Sequence, residues 1–196
     1  RFNRAGTLPS HPIGSGFLAA PFVAIFSIVD RVSGNEIIID RSAYFGSWSY
    51  FGFLFAVKLF FLLGVNLYSR ALKTVYTGYS FGFHLVVIMG TGVIYYVLGR
   101  FTMSHGFEFF VFSATVYLSV LLQESHYGGN KAKSVLYALL LGFFVVLNLW
   151  VRPSNLNCLF LPFIWLFILN LYSRKKIEAK WYFSIALSIV VWLVPY

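Results

Sequence analysis

Lys58, His84 and Glu108 are the residues of this chain whose types and positions could do chemistry, because each falls inside or at the edge of a long apolar stretch. An ionisable side chain in hydrocarbon is costly unless it is paired, hydrogen-bonded or facing water, so each is a candidate for a substrate or proton path. Lys58 precedes Arg70 by eleven intervening residues, which is about 18 Å along a helix rising ~1.5 Å per residue and reaches the depth of a bilayer centre. Glu108 opens a later apolar stretch and is the expected partner of Lys58. The competing reading of both is a structural ion pair or a lysine that snorkels toward the head groups.

Four histidines are present, and only His84 falls within an apolar stretch; His11, His105 and His126 lie outside. A bis-histidine haem needs two imidazoles at matching depth, and this chain offers no second one. His84 is therefore read as a packed or hydrogen-bonded helix residue, or as a ligand or relay group shared with another subunit. The single cysteine, Cys158, excludes an internal disulfide and a Cys-ligated zinc or iron-sulfur site. A Gly-rich phosphate loop, a His/Glu zinc signature and a strand-turn-helix nucleophile are all missing. Ser104-His105-Gly106-Phe107 resembles the Ser-Gly-His motif of membrane lipid phosphatases, but in a different order and without their second histidine. No catalytic, cofactor-binding or metal-ligating residue is assigned.

The elements that must carry these residues are set by composition. At 59% hydrophobic and 11% charged, with mean hydropathy +0.78, the 196 residues lie far outside the soluble range, where about 25% are charged. Seven apolar stretches run approximately over 14–29, 44–67, 78–99, 107–123, 134–151, 157–173 and 181–196. Most approach the ~20 residues needed to cross ~30 Å of hydrocarbon; the first, fourth and sixth are short and call for tilt or local thinning. The runs are continuous and lack period-2 alternation, so helices rather than barrel strands are expected. The fold class is all-α, a polytopic transmembrane bundle of about seven spans, and residues 1–196 read as one domain.

Seven spans assign every Lys and Arg except the intramembrane Lys58 to a face. Arg1, Arg4, Arg70, Lys73, Lys131, Lys133, Arg174, Lys175, Lys176 and Lys180 fall on one side, and Arg31, Arg41, Arg100 and Arg152 on the other. By the positive-inside rule the N-terminus faces the matrix or cytoplasm. The net charge of +9 reads as topology rather than nucleic-acid binding, and anionic phospholipids are the expected partners of Arg70, Lys73, Lys131 and Lys133. A start at Arg1 with Phe2 and Arg4 suits the remainder of a cleaved mitochondrial presequence. Asn66-Leu67-Tyr68-Ser69-Arg70 recurs as Asn170-Leu171-Tyr172-Ser173-Arg174; it reads as an interfacial exit used twice, or as an internal duplication.

Several motifs point to one family. His126-Tyr127-Gly128-Gly129-Asn130-Lys131-Ala132-Lys133 is followed by Ala138-Leu139, the last span opens on Glu178-Ala179-Lys180-Trp181-Tyr182, and it closes on Val190-Val191-Trp192-Leu193. Arg70 and Lys73, with Phe81-Gly82, echo an Arg-rich exit from helix two and the opening of helix three. With these motifs and the span count the chain resembles cytochrome c oxidase subunit III. The family's helix-three acid, its Trp-Ala-His-His and its Gly-His-x-x-His run lack full counterparts. Ser27 to Gly34 resembles the helix-one motif of the succinate dehydrogenase cytochrome b anchor, and Phe107-Glu108-Phe109 with Tyr117 is similar to ATP synthase subunit a, but both families end before spans five to seven.

The resemblance implies a non-catalytic subunit of a respiratory terminal oxidase in the mitochondrial inner membrane. It would support the catalytic subunit and hold phospholipid, with haem a and copper in partner subunits and no cofactor on this chain. The alternatives are an accessory subunit of another respiratory or ATP synthase complex, and a small transporter or lipid-processing enzyme built around Lys58, His84 and Glu108.

Overall fold

The structure, a computed structural model, describes residues 13–35, 47–76, 78–90, 92–99, 104–172 and 178–193. Among these residues there is helix and no strand. The helices are α1 (Ile13–Val32), α2 (Trp48–Val75), α3 (Phe81–Gly90), α4 (Gly92–Leu98), α5 (His105–Tyr127), α6 (Lys131–Val151), α7 (Leu161–Tyr172) and α8 (Ala179–Leu193), with a 3-10 segment at Pro153–Leu159 before α7. Four of them, α1, α2, α5 and α6, are long and apolar enough to cross a membrane, which supports a membrane protein made of helices.

Each expected stretch holds a helix, but the lengths redistribute. The first and fourth, short by hydropathy, form helices of 20 and 23 residues, because α1 runs on through Asp30-Arg31 and α5 through Gln123 to Tyr127. The third holds both α3 and α4. The sixth and seventh yield helices of 12 and 15 residues.

Helix packing follows small residues. A side chain on Gly52 would meet the Phe22 carbonyl, one on Gly64 the backbone of Phe110, one on Gly106 Val57, and one on Gly142 Ser188. These close approaches let helices associate by dispersion in a solvent that supplies no hydrophobic drive. Hydroxyls inside the bundle return to their own helix: Ser69 donates to the Val65 carbonyl, Thr115 to Val111 and Ser119 to Thr115, at 2.7–2.9 Å. A polar group so satisfied can sit in an apolar interior.

The contacts fix direction. Gly106 lies against Val57 and Gly64 against Phe110, so α5 runs parallel to α2. Ser125 and Ser134 share a hydrogen bond of 2.9 Å across the α5–α6 turn, and Ser188 donates to the Leu139 carbonyl at 2.9 Å while Trp192 packs on Phe143, so α8 runs parallel to α6. The C-termini of α2 and α5 and the N-termini of α6 and α8 therefore share one end. That end carries Arg70, Lys73, Lys131, Lys133 and Lys180, whereas Arg31 and Arg152 lie away from it. Arg1, Arg4, Arg41, Arg100, Arg174, Lys175 and Lys176 fall outside the described residues.

Candidate functional site

The first polar constellation forms where α5 begins and α6 ends. Ser104 stands at the N-cap of α5 and accepts the Glu108 N–H on its carbonyl at 2.9 Å, which holds Glu108 in the first turn, where the helix dipole favours an anion. Its Oε2 meets His105 Nδ1 at 3.0 Å and Arg152 Nη1 at 3.4 Å. Arg152 is placed by the end of α6, its backbone N–H donating to the Asn148 carbonyl at 3.0 Å. Asn155 from the 3-10 segment donates to Asn148 Oδ1 at 2.8 Å. His105, Glu108, Asn148 and Asn155, with Val93, Phe109 and Phe112, line a half-open recess of about 270 Å³.

Lys58 is not in it. The expected Lys58–Glu108 pair does not form: Glu108 is taken by His105 and Arg152, and Lys58 is exposed on the outer side of α2. The physical reason is the facing of α2. Its buried positions Gly52, Ala56, Val57 and Gly64 turn toward α1 and α5, Phe61 and Val65 pack with Ile88 and Val97, and Phe51, Phe55, Lys58 and Leu62 are left on an exposed stripe that borders α1. Because Gly106 touches Val57, the two charged groups lie at one level of the bundle without facing each other.

Sequence reasoning missed a third ionisable group. Asp30, fully buried near the end of α1, accepts the backbone N–H groups of Trp48 and Ser49 at 2.7 Å each, the Ser47 hydroxyl at 3.4 Å and the Ser49 hydroxyl. It caps α2 from another helix, supplying the acceptor that the first N–H groups of any helix lack. The signal was present in Ser47-Trp48-Ser49, a polar pair bracketing the start of an apolar run.

His84 is buried in α3 against Tyr68 of α2, with ring centroids 5.3 Å apart, and against Tyr79 at 6.0 Å. Its Nε2 and the Tyr79 hydroxyl have no hydrogen-bond partner among the described residues. No group of three or more metal-ligating side chains occurs among the described residues. Cys158 lies in the 3-10 segment, and His11 lies outside the described residues.

The four lipid-contact candidates are all exposed at the basic end. There Trp181 Nε1 donates to His126 Nδ1 at 3.0 Å, tying α8 to α5, and Glu178 pairs with Lys180. That hydrogen bond with Lys180, outweighing desolvation, holds the Glu178 carboxyl below the usual range. Two residues beyond Lys133 an apolar groove of about 540 Å³ opens between α6 and α8, walled by Leu136, Leu139, Phe143, Leu187, Val191 and Trp192. Cations above an apolar channel match the two chemistries of a phospholipid, phosphate and acyl chain. No family model, curated protein or solved structure matches the chain.

Proposed function

We propose that the chain is a non-catalytic membrane subunit of a respiratory-chain terminal oxidase, of the kind typified by cytochrome c oxidase subunit III, which supports a catalytic partner and holds phospholipid. In this reading all seven apolar stretches are embedded, with the N-terminus on the matrix side of the mitochondrial inner membrane. The observation that carries it is the apolar groove between α6 and α8, which begins just below Lys131 and Lys133. The shared basic end and the motifs from His126 to Lys133 and from Glu178 to Tyr182 support the same assignment. Haem a and copper belong to partner subunits in this reading, and this chain contributes packing surface and lipid contacts.

The test is native-gel separation of membranes in mild detergent, with the chain located by mass spectrometry and its band scored for haem a absorbance and cytochrome c oxidase activity. Co-migration is expected. Migration with another complex would reassign the chain as an accessory subunit there, and migration alone would overturn the accessory role. A second reading, a small transporter or lipid-processing enzyme, is favoured by the recess around Glu108. It requires that Glu108→Gln abolish transport or lipid turnover by the purified chain in liposomes.

A further inference from the structure

The groove between α6 and α8 has a floor, two walls and a charged mouth. Its floor is the contact of Gly142 with Ser188, where a side chain on the glycine would already meet the serine. Its walls include Val135, Leu136 and Leu139 on α6 and Leu187 and Val191 on α8, each between 51% and 57% exposed. Two hydroxyls border it, and both protons are committed to backbone carbonyls: Ser184 donates to Lys180 and Ser188 to Leu139, at 2.9 Å each. The channel therefore presents hydrocarbon and repels a polar solute.

The mouth lies at the N-termini of α6 and α8. Residues three, four and seven apart share a helix face, so Lys180 stands over Ser184 and Leu187. On α6 Ala132 stands over Val135, Leu136 and Leu139, with Lys131 and Lys133 to either side of it. The Cα–Cβ bonds of a helix tilt toward its N-terminus, so all three lysine stems lean out past the end of the channel, where the apolar run of α6, a helix long enough to span, begins. The three lysines are exposed. Lys180 pairs with Glu178, and Lys131 and Lys133 enter no ion pair among the described residues. Both helices contribute to one field: besides its hydrogen bond with Lys180, the charges of Lys180, His126 and Lys131 draw the Glu178 carboxyl below the usual range, against desolvation.

We propose that this groove is a site for an anionic phospholipid, with one acyl chain in the channel and the phosphate among Lys131 and Lys133 of α6 and Lys180 of α8, so that the lipid braces α8 against α6. The inference rests on the phospholipid-holding reading and names the charge of the lipid and the cations that meet it; Arg70 and Lys73 belong to α2, which lines no part of the groove. Charge decides among occupants. A second copy meeting this face about a two-fold axis along the helices would set each lysine cluster against its equivalent. A zwitterionic lipid brings a cation of its own to a mouth that already has an excess of them. An anionic lipid brings net negative charge to three ammonium groups and one carboxylate, and hydrocarbon to the channel.

The test uses the full chain in its native assembly, reconstituted in phosphatidylcholine vesicles that carry a trace of phospholipid with a photo-reactive diazirine in its acyl chain, either phosphatidylglycerol or phosphatidylcholine. Labelled residues are mapped by mass spectrometry. At equal concentration the phosphatidylglycerol probe is expected to label Leu139, Leu187 and Val191 about fivefold more than the phosphatidylcholine probe, the effect of roughly one lysine at a membrane surface. Lys131→Gln combined with Lys133→Gln should remove that excess and leave labelling of the exposed Phe55 on α2 as in wild type. Leu139→Trp, which fills the channel and keeps every cation, should lower the labelling of Leu187 and Val191 even if the double variant fails to assemble. Equal labelling by the two probes, or an excess that survives the double variant, would overturn the proposal, as would a groove labelled by neither probe because a polypeptide covers it. The failures are distinguishable: equal labelling sinks the anionic preference and leaves the phospholipid-holding reading standing, absence of label from both probes sinks the two together, and the native gel decides the accessory role independently.

Discussion

Replacing Asp30 should loosen the α1–α2 hairpin more than any other single polar change outside the Glu108 recess. The carboxylate is fully buried and accepts two backbone N–H groups at 2.7 Å, from Trp48 and Ser49, as well as the hydroxyls of Ser47 and Ser49. Asp30→Ala removes an N-terminal cap, about 1 kcal/mol. It also leaves the Ser49 hydroxyl and two amides buried without acceptors, on the order of 1–3 kcal/mol. Allowing for overlap, the loss is about 3 kcal/mol, or roughly 150-fold in the ratio of closed to open hairpin. Asp30→Asn keeps one carbonyl acceptor and loses the charge at the helix N-terminus, so about half that cost is expected. The assay is SDS-induced unfolding of the purified protein in mild detergent micelles, joined to hydrogen exchange at the Trp48 and Ser49 amides. The expected order of midpoints is wild type, Asp30→Asn, Asp30→Ala, with both amides exchanging faster in that order. An Asp30→Ala protein within ~0.5 kcal/mol of wild type, the range of an indifferent surface change, would refute the reasoning.

Other positions carry sharper contrasts. Glu108→Gln should cost about 0.5 kcal/mol, since Arg152 is half exposed, and the double variant with Arg152→Gln should cost less than the sum of the singles by a few tenths of a kcal/mol in the same unfolding assay. Gly142→Leu places a side chain where Ser188 already packs; α8 should detach from α6, read as protease access to the Glu178 region and a lower Tm. His84→Phe removes an orphaned ring nitrogen from a buried aromatic pocket together with the ring's hydrogen bond to the Val65 backbone; the two effects oppose, so Tm should stay close to wild type, whereas a relay or ligand role requires loss of activity in the native complex. For Glu178, a carboxyl held low by Lys180 contributes its stability above the ordinary glutamate pKa and loses it as pH falls through the lower folded value. The pair is solvent-exposed, so Glu178→Gln should match the wild-type midpoint at pH 7, checked by melting scans between pH 3 and 7.

The fold class and the positions of the helices were legible because continuous apolarity is a strong one-dimensional signal. Helix lengths were less legible. Hydropathy ends a span at its first charges, whereas α5 carries on through Glu124 to Tyr127 because a helix extending past the hydrocarbon loses nothing by exposing polar side chains. Lys58 and Glu108 were both found by type, but pairing depends on level and facing, and the common level came only from the contact of Gly106 with Val57. The sequence pattern contained the facing: Gly52, Ala56 and Gly64 mark the side of α2 packed on α1 and α5, and Lys58 does not lie on it. Asp30 was overlooked because an acid at the end of an apolar stretch reads as a loop residue. Only the return of the chain to Ser47 and Ser49 turns it into a cap.

Asp30, Glu108 and Lys58 together bear on how this chain meets its surroundings. Gly106 lies against Val57, and Phe107, Val151 and Val57 share one core cluster. The recess with His105, Glu108, Asn148, Arg152 and Asn155 thus sits at the level of Lys58. There His105 and Arg152 share the Glu108 carboxylate, and Asn155 donates to Asn148. Asp30 is answered the same way by the four donors at the start of α2. Lys58, exposed on the outer side of α2, enters no ion pair among the described residues.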